Sequence, residues 1–178
     1  VSYFLWARDY NGPCHATLHE NGEDTSSDRN LDEFPVFIAS DRAVKIIRNV
    51  QSKASEFYAD IVRSRKPFGI GAGSDNKRGD LALRYRGGMA TVNKAEVTTG
   101  QEMIDQWKVI ISKAAAEHAG QSDKNGQRKM LTVIEILPPK TACSETYLVV
   151  DAFNNQVEAE NLAAYIRTKF VRYLIWQA

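Results

Sequence analysis

Residues 146–175 read TYLVVDAFNNQVEAENLAAYIRTKFVRYLI, an apolar strand-like run followed at once by a long helical pattern. Asn155, with Glu158 three residues later, makes a capping-box-like helix start. One face of the helix collects the larger apolar side chains, which are Val157, Leu162, Ile166, Phe170, Tyr173 and Leu174. The stretch therefore predicts a strand followed by one amphipathic helix that continues to the end of the chain.

Several strand-like runs precede this stretch. They are LALRYR (81–86) and GMATV (88–92) around Gly87-Gly88, WKVIIS (107–112), and MLTVIEIL (130–137) before the break at Pro138-Pro139. Because these runs do not alternate regularly with helices, a doubly wound parallel sheet is disfavoured. We expect an α+β fold, with a mixed or antiparallel sheet and flanking helices.

The first fifty residues combine turn signals with a helix start. Asn11-Gly12 and Asn21-Gly22 border the runs 2–8 and 14–20, and Asn-Gly is a strong hairpin signal, so we expect a β-meander. Ser40 is a plausible N-cap for a helix whose apolar residues recur at helical spacing. A second helix is predicted at about 54–63, ending before Pro67.

The run FGIGAGSDNKRGD (68–80) is rich in glycine and polar residues. A cofactor loop of this composition should follow a strand and open a helix. This run instead follows RSRKP and continues into SDNKRGD. It is therefore predicted to be a long exposed loop, free to follow a DNA groove, and not a nucleotide or S-adenosylmethionine site.

The charge is distributed unevenly along the chain. The net charge is +1, but residues 1–41 contain two basic and eight acidic side chains, whereas residues 42–86 contain eleven basic and four acidic ones. A basic block suits a polyanion, since each neutralised phosphate releases condensed counterions. A solvated charged face is an equally plausible interpretation from charge alone.

Other chemistry finds little support in the sequence. Leu137-Pro138-Pro139-Lys140 lacks the amide and the aromatic ring that an amino-methyltransferase motif needs, and is better explained as a turn between strands. Cys14, His15 and His19, with distant His118 and Cys143, lack the paired spacing of a structural zinc site. No nucleophile elbow or triad spacing occurs among the histidines and cysteines. We therefore expect neither catalysis nor a metal or other cofactor in this chain.

The remaining candidate is a DNA-binding surface in which Phe68 and Tyr85 are interleaved with basic groups. Phosphate contacts are predicted for Arg42, Lys45, Arg48, Arg63, Arg65 and Lys66. Base or groove contacts are predicted for Ser74, Asn76, Lys77, Arg78, Arg84 and Arg86.

Four segments occur in a distinctive order: YFLWARDYNGPC (3–14), DEFPVFIASDRAVKIIRNV (32–50), IDQWKVIISKA (104–114) and ACSETYLVVDAFNNQVEAENLAAYIRTKFVRYLI (142–175). Together they resemble the C-terminal part of restriction-modification N6-adenine methyltransferases, in which a sequence-specificity half follows a Rossmann catalytic half. That region is similar to the target-recognition domains of type I specificity subunits. The resemblance implies double-stranded DNA as a partner, with S-adenosylmethionine bound by the catalytic domain of a longer parent chain.

The resemblance also bears on domain organisation and location. Residues 1–178 are expected to form a single target-recognition domain of a larger protein, with a sub-lobe boundary near 94–106 as one option. Both termini suggest a segment of a longer polypeptide, since the chain starts on Val1 in a strand-like run and ends on an apolar stretch. No run of about 18 apolar residues or signal-peptide pattern occurs, so we expect a cytoplasmic protein without a membrane partner.

Two alternatives remain open. The chain could contain part of a methyltransferase or nuclease active centre. It could also be a protein-interaction module whose terminal helix docks on a catalytic partner through Tyr165, Phe170, Tyr173 and Trp176.

Overall fold

A computed structural model describes residues 4–20, 22–63, 65–72, 79–113 and 131–177. The strands are β1 (Cys14–Glu20), β2 (Glu23–Arg29), β3 (Leu81–Tyr85), β4 (Gly88–Val92), β5 (Trp107–Ser112), β6 (Ile134–Leu137), β7 (Thr141–Cys143) and β8 (Tyr147–Phe153). The α-helices are α1 (Asp41–Gln51), α2 (Tyr58–Ile61), α3 (Gln156–Ile166) and α4 (Lys169–Gln177). The expected α+β class is confirmed.

The chain divides into two compact units. The first contains residues 1–54 with 177–178, and the second contains residues 55–176. Residues 94–106, where a sub-lobe boundary was considered, lie inside the second unit. No helix in the described ranges is both long enough and apolar enough to cross a bilayer.

A two-stranded hairpin forms the start of the first unit. Strands β1 and β2 pair antiparallel with Glu20 opposite Glu23, and Gly22 takes a φ of +82°, so the tight turn predicted between these strands is confirmed. The expected earlier strand is wrong over residues 4–8, which form no strand. Phe4 and Leu5 are 88% and 98% exposed, so in this segment nothing buries the apolar side chains that suggested a strand.

Helix α1 begins as its sequence predicts. Ser40 has extended backbone angles and its side chain accepts a hydrogen bond from the Ala43 amide at 3.4 Å. Ala43, Val44 and the preceding Ile38 are buried. The buried Arg29 joins strand β2 to the start of this helix, donating to the Ala39 carbonyl at 3.1 Å.

Helix α2 is shorter than predicted, a single turn over Tyr58–Ile61. The chain then becomes extended, and Arg63 pairs with strand β8 through two backbone hydrogen bonds with Val149, at 2.8 and 3.1 Å. The prediction of helix up to residue 63 is therefore wrong, because these backbone groups are satisfied by the sheet instead of by another helical turn.

Two three-stranded sheets form the centre of the second unit. One has the order β4-β3-β7, with β3 antiparallel to β4 and parallel to β7, and the other is antiparallel with the order β6-β5-β8. A bulge interrupts the pairing of β5 between Val109 and Ile110. Ile110 lies in a core cluster with Leu83 of the other sheet, whereas Val109 lies in a cluster with Leu162 of α3. Strand β5 is thus buried on both faces.

A lysine lies inside this core. Lys108 of β5 is completely buried, and its ammonium donates to the carbonyls of Met103, Ile104 and Gln106 at 3.1, 3.0 and 2.8 Å. Burial lowers the pKa of Lys108 to about 8. The three hydrogen bonds of Lys108 therefore connect the turn before β5 to the strand.

The C-terminal helix starts as predicted but does not continue unbroken. The Asn155 side chain accepts from the Glu158 amide at 3.0 Å. The helix stops at Ile166 and resumes at Lys169, and the Thr168 hydroxyl donates to the Tyr165 carbonyl at 2.7 Å. The predicted apolar face is partly wrong. Leu162 and Ile166 are buried along with Ala159 and Ala163, but Val157 and Phe170 are exposed.

Replacing Lys108 with methionine tests whether its buried ammonium group stabilises the fold and makes the stability depend on pH. The variant K108M leaves three carbonyls without their donor and should lower the free energy of unfolding by roughly 1–3 kcal/mol. The unfolded chain holds the Lys108 proton up to about pH 10.5, whereas the folded chain releases it near pH 8. Since the unfolded state then binds more protons, Lys108 makes the wild type gain stability across that window.

Denaturant unfolding from pH 7 to 10 measures this effect. The gap between wild type and K108M should widen as the pH rises above 8. The buried Cys143 thiol is present in both proteins, so its own titration cancels in the comparison to first order. A gap that stays constant with pH would contradict the account.

Candidate nucleic-acid interface

Helix α1 exposes basic side chains in the first unit. Arg42, Lys45 and Arg48 are all exposed. Arg48 forms an ion pair with Glu33, using both Nε and Nη2, and this hydrogen bonding lowers the pKa of the Glu33 carboxyl. Among the described residues, Arg42 and Lys45 make no ion pair. They are therefore open to an external anion.

In the second unit, Arg63 has acidic surroundings. Its guanidinium lies 3.5 Å from the Glu102 carboxylate. Both residues line a groove of about 470 Å³ that also contains Asp60 and Asp151. These carboxylates would repel a phosphate, so the structure favours a minor part for Arg63 in binding DNA.

Arg65 and Lys66 have unusual backbone conformations. Both side chains are exposed, and both residues have positive φ values, 51° and 56°. The turn is held by tertiary contacts, since the Lys66 carbonyl accepts from the Gly69 amide at 2.8 Å and from the Thr99 hydroxyl at 3.2 Å. The backbone that carries the two cations is therefore held in a left-handed turn.

Buried side chains anchor the segment that follows. Phe68 is completely inaccessible and Ile70 is 3% exposed, and both belong to the core cluster around Leu83. The prediction of a wholly exposed loop is wrong for these residues. So is the placement of Phe68 on the DNA-facing surface, because the ring is needed to fill the core between the sheets. Tyr85 is half-buried.

Glu145 ties this segment to the turn between β7 and β8. Its backbone amide donates to the Ile70 carbonyl at 2.9 Å, and its carboxylate accepts from the Ala72 amide at 3.2 Å. The Lys66 ammonium lies 3.8 Å from the same carboxylate. The next predicted contacts, Ser74, Asn76, Lys77 and Arg78, lie outside the described residues.

Arg84 is engaged within the protein. Its Nε and Nη2 donate to the Glu135 carboxylate at 2.7 and 2.8 Å, and Nη1 donates to the carbonyls of Tyr85 and Gly88 at 2.6 and 3.2 Å. Its guanidinium also lies 5.0 Å from the centre of the Tyr147 ring. The hydrogen bond from Arg84 lowers the pKa of Glu135. A contact between Arg84 and DNA would break this ion pair. The geometry therefore favours a positioning role, in which Arg84 holds the turn between β3 and β4 in place.

The turn that Arg84 braces carries an exposed cation, Arg86. The Arg84 carbonyl accepts from the Ser144 amide at 3.0 Å, which places this turn beside Glu145 and hence near the Lys66 ammonium. Lys66 and Arg86 thus both lie toward the same end of the β4-β3-β7 sheet. The other end of this sheet carries two further exposed lysines, Lys94 and Lys140.

Helix α1 also carries an exposed amide that the sequence analysis overlooked. Asn49 follows Arg42 by seven residues and Lys45 by four, and it is exposed. This helical spacing was the signal that could have identified it.

The groups considered for other chemistry are placed as follows. Cys143 is buried, and burial raises the pKa of its thiol to about 12. His15 is bonded to Asp28 at 2.7 Å and His19 to Asp24, across the hairpin. The described residues contain no cluster of three or more His, Cys, Asp or Glu side chains suited to a metal ion. The turn expected at Pro138–Lys140 is confirmed between β6 and β7.

Comparisons with protein-family models, with curated proteins and with solved structures found no match for this chain.

Removing the partly buried Arg84–Glu135 ion pair should cost more than removing an exposed one. R84M removes the donors of two backbone carbonyls and leaves Glu135 half-buried and unpaired, so we expect a loss of roughly 2–3 kcal/mol in the free energy of unfolding. The matched variant R63M breaks the exposed pair with Glu102 and should cost no more than about 0.5 kcal/mol. Denaturant titration measures both. Equal losses would contradict the positioning role of Arg84.

Proposed function

We propose that this chain is a double-stranded-DNA-binding target-recognition module. In this proposal it selects the site at which the catalytic domain of a restriction-modification methyltransferase methylates adenine at N6. The catalytic domain, in the same parent chain, would supply S-adenosylmethionine binding and catalysis, and the protein would work in the cytoplasm. Support comes from the four sequence segments and from the arrangement of exposed cations.

The observation that carries the proposal is the Arg65–Lys66 turn. A left-handed conformation costs an L-residue roughly 1–2 kcal/mol, and here two consecutive basic residues adopt it. Neither side chain is buried, so the conformation contributes no core packing of its own. Backbone strain that is held by surrounding contacts is concentrated at functional sites. Two adjacent exposed cations on a backbone that is held in place suit phosphates, whose contacts fix a protein's register on the duplex.

Each unit exposes further cations that could contact phosphates. Arg86 lies in the turn braced by Arg84, at the end of the sheet reached by the Lys66 ammonium. In the other unit, Arg42 and Lys45 supply further charges without carboxylate partners among the described residues. Each such contact contributes to affinity independently of DNA sequence.

Neutralising the turn tests the proposal. R65Q/K66Q removes both charges but keeps polar side chains, and it should weaken binding to every duplex alike, since phosphate contacts carry no sequence information. The slope of log K against log salt should become shallower by about 1–2. Fluorescence anisotropy with a labelled duplex over a salt series measures both quantities.

K94Q/K169Q is the matched control, because it also removes two exposed lysine or arginine charges from the second unit. It should leave the salt slope closer to that of the wild type. If the two double variants have the same affinity and the same salt slope, the Arg65–Lys66 turn does not contact phosphate. The turn then no longer supports the proposed function.

A second candidate function is docking on a catalytic partner. Tyr165, Phe170 and Trp176 of the last two helices are all exposed, and α4 has no buried residue. Exposed aromatic rings are typical of protein interfaces. Docking alone predicts no salt-dependent affinity for DNA, so the anisotropy measurements separate the two functions.

A further inference from the structure

Helix α1 carries an ordered row of polar side chains on its exposed face. Arg42, Lys45 and Asn49 are spaced three and four residues apart and are all exposed. Such spacing places them in line along one side of a helix. At 1.5 Å per residue the row is about 10 Å long, close to the length of three stacked base pairs.

The opposite face of α1 fixes the direction of this row. Ala43 and Val44 are buried, and Ser40 caps the start of the helix. Beside the row, Arg48 is ion-paired with Glu33. The helix is thus held on its apolar face and on one flank.

Two acidic residues close to the helix are engaged, whereas Asp32 lines a pocket with Arg48 and makes no ion pair among the described residues. Asp41 accepts a hydrogen bond from Ser27 and lies 3.9 Å from the Arg29 Nε, while Glu33 accepts from Arg48. The row itself contains two cations and one amide and no carboxylate. Its charge therefore complements a polyanion.

The residue types in the row match a specific ligand. The major groove of B-DNA admits an α-helix, and an asparagine amide can both accept from the N6 amine and donate to N7 of adenine. Arginine and lysine donate to guanine O6 and N7 or to phosphates. A patch that bound acidic proteins would need only charge and would gain nothing from an asparagine in the row.

We propose that α1 enters the major groove of duplex DNA and that Asn49 reads an adenine, with Arg42 and Lys45 contacting neighbouring base edges or phosphates. This inference rests on the proposed function, and it identifies one surface that determines specificity. It moves Arg42 and Lys45 from general phosphate binding to the groove.

Selection from a random-sequence duplex pool tests the inference with the full chain. The wild type should enrich a motif containing adenine at one position that N49A no longer discriminates, with a loss of about 5- to 150-fold at that position alone. N49D should shift the preference at that position toward cytosine, because a carboxylate accepts from cytosine N4. N161A is the control, since Asn161 is an exposed helical asparagine of α3.

The outcomes separate the inference from the proposed function. A wild type that selects a motif, together with N49A and N49D variants that select the same motif, would overturn the role of Asn49 and leave DNA binding intact. A wild type that binds no duplex would overturn both. A loss of preference with N161A as well would also count against the inference, since the effect would not belong to α1. Thermal unfolding of each variant confirms that it is folded.

Discussion

Strand β5 has to bury both of its faces, and the second unit is built around this requirement. Ile110 faces the other sheet and Val109 faces α3. Neither layer alone could exclude water from the strand, so both sheets and the helix are needed. The buried Lys108 is tolerated between these layers because three backbone carbonyls accept its hydrogens.

The same core determines where the exposed cations lie. Phe68 fills space between the sheets, and the left-handed turn of Arg65 and Lys66 lies just before it in the chain. Arg84, paired with Glu135, braces the turn that presents Arg86. Charges whose positions are fixed by packing lose little conformational entropy when a ligand binds. The backbone positions of the candidate cations in the second unit are therefore a consequence of how its core is packed.

Local chemistry explains which features could be predicted from the sequence. The Asn21-Gly22 hairpin and the caps at Ser40 and Asn155 depend on residues close in sequence, and all were anticipated correctly. The shortening of α2 and the burial of Phe68 depend on contacts with distant strands, which no local pattern encodes. For the candidate site, residue type indicated the cations. Charge counting could not show that Arg84 is committed to Glu135, or that Asn49 lies in a row with Arg42.

Titration of the unmodified chain against a random-sequence duplex at 50 and 200 mM salt tests the central claim most directly. Four phosphate contacts would weaken binding by about 100-fold over this range, because each releases condensed counterions. A loss of affinity of that order is the result that DNA binding through the exposed cations predicts. Absence of binding at the lower salt concentration, or an affinity that does not change with salt, would contradict it.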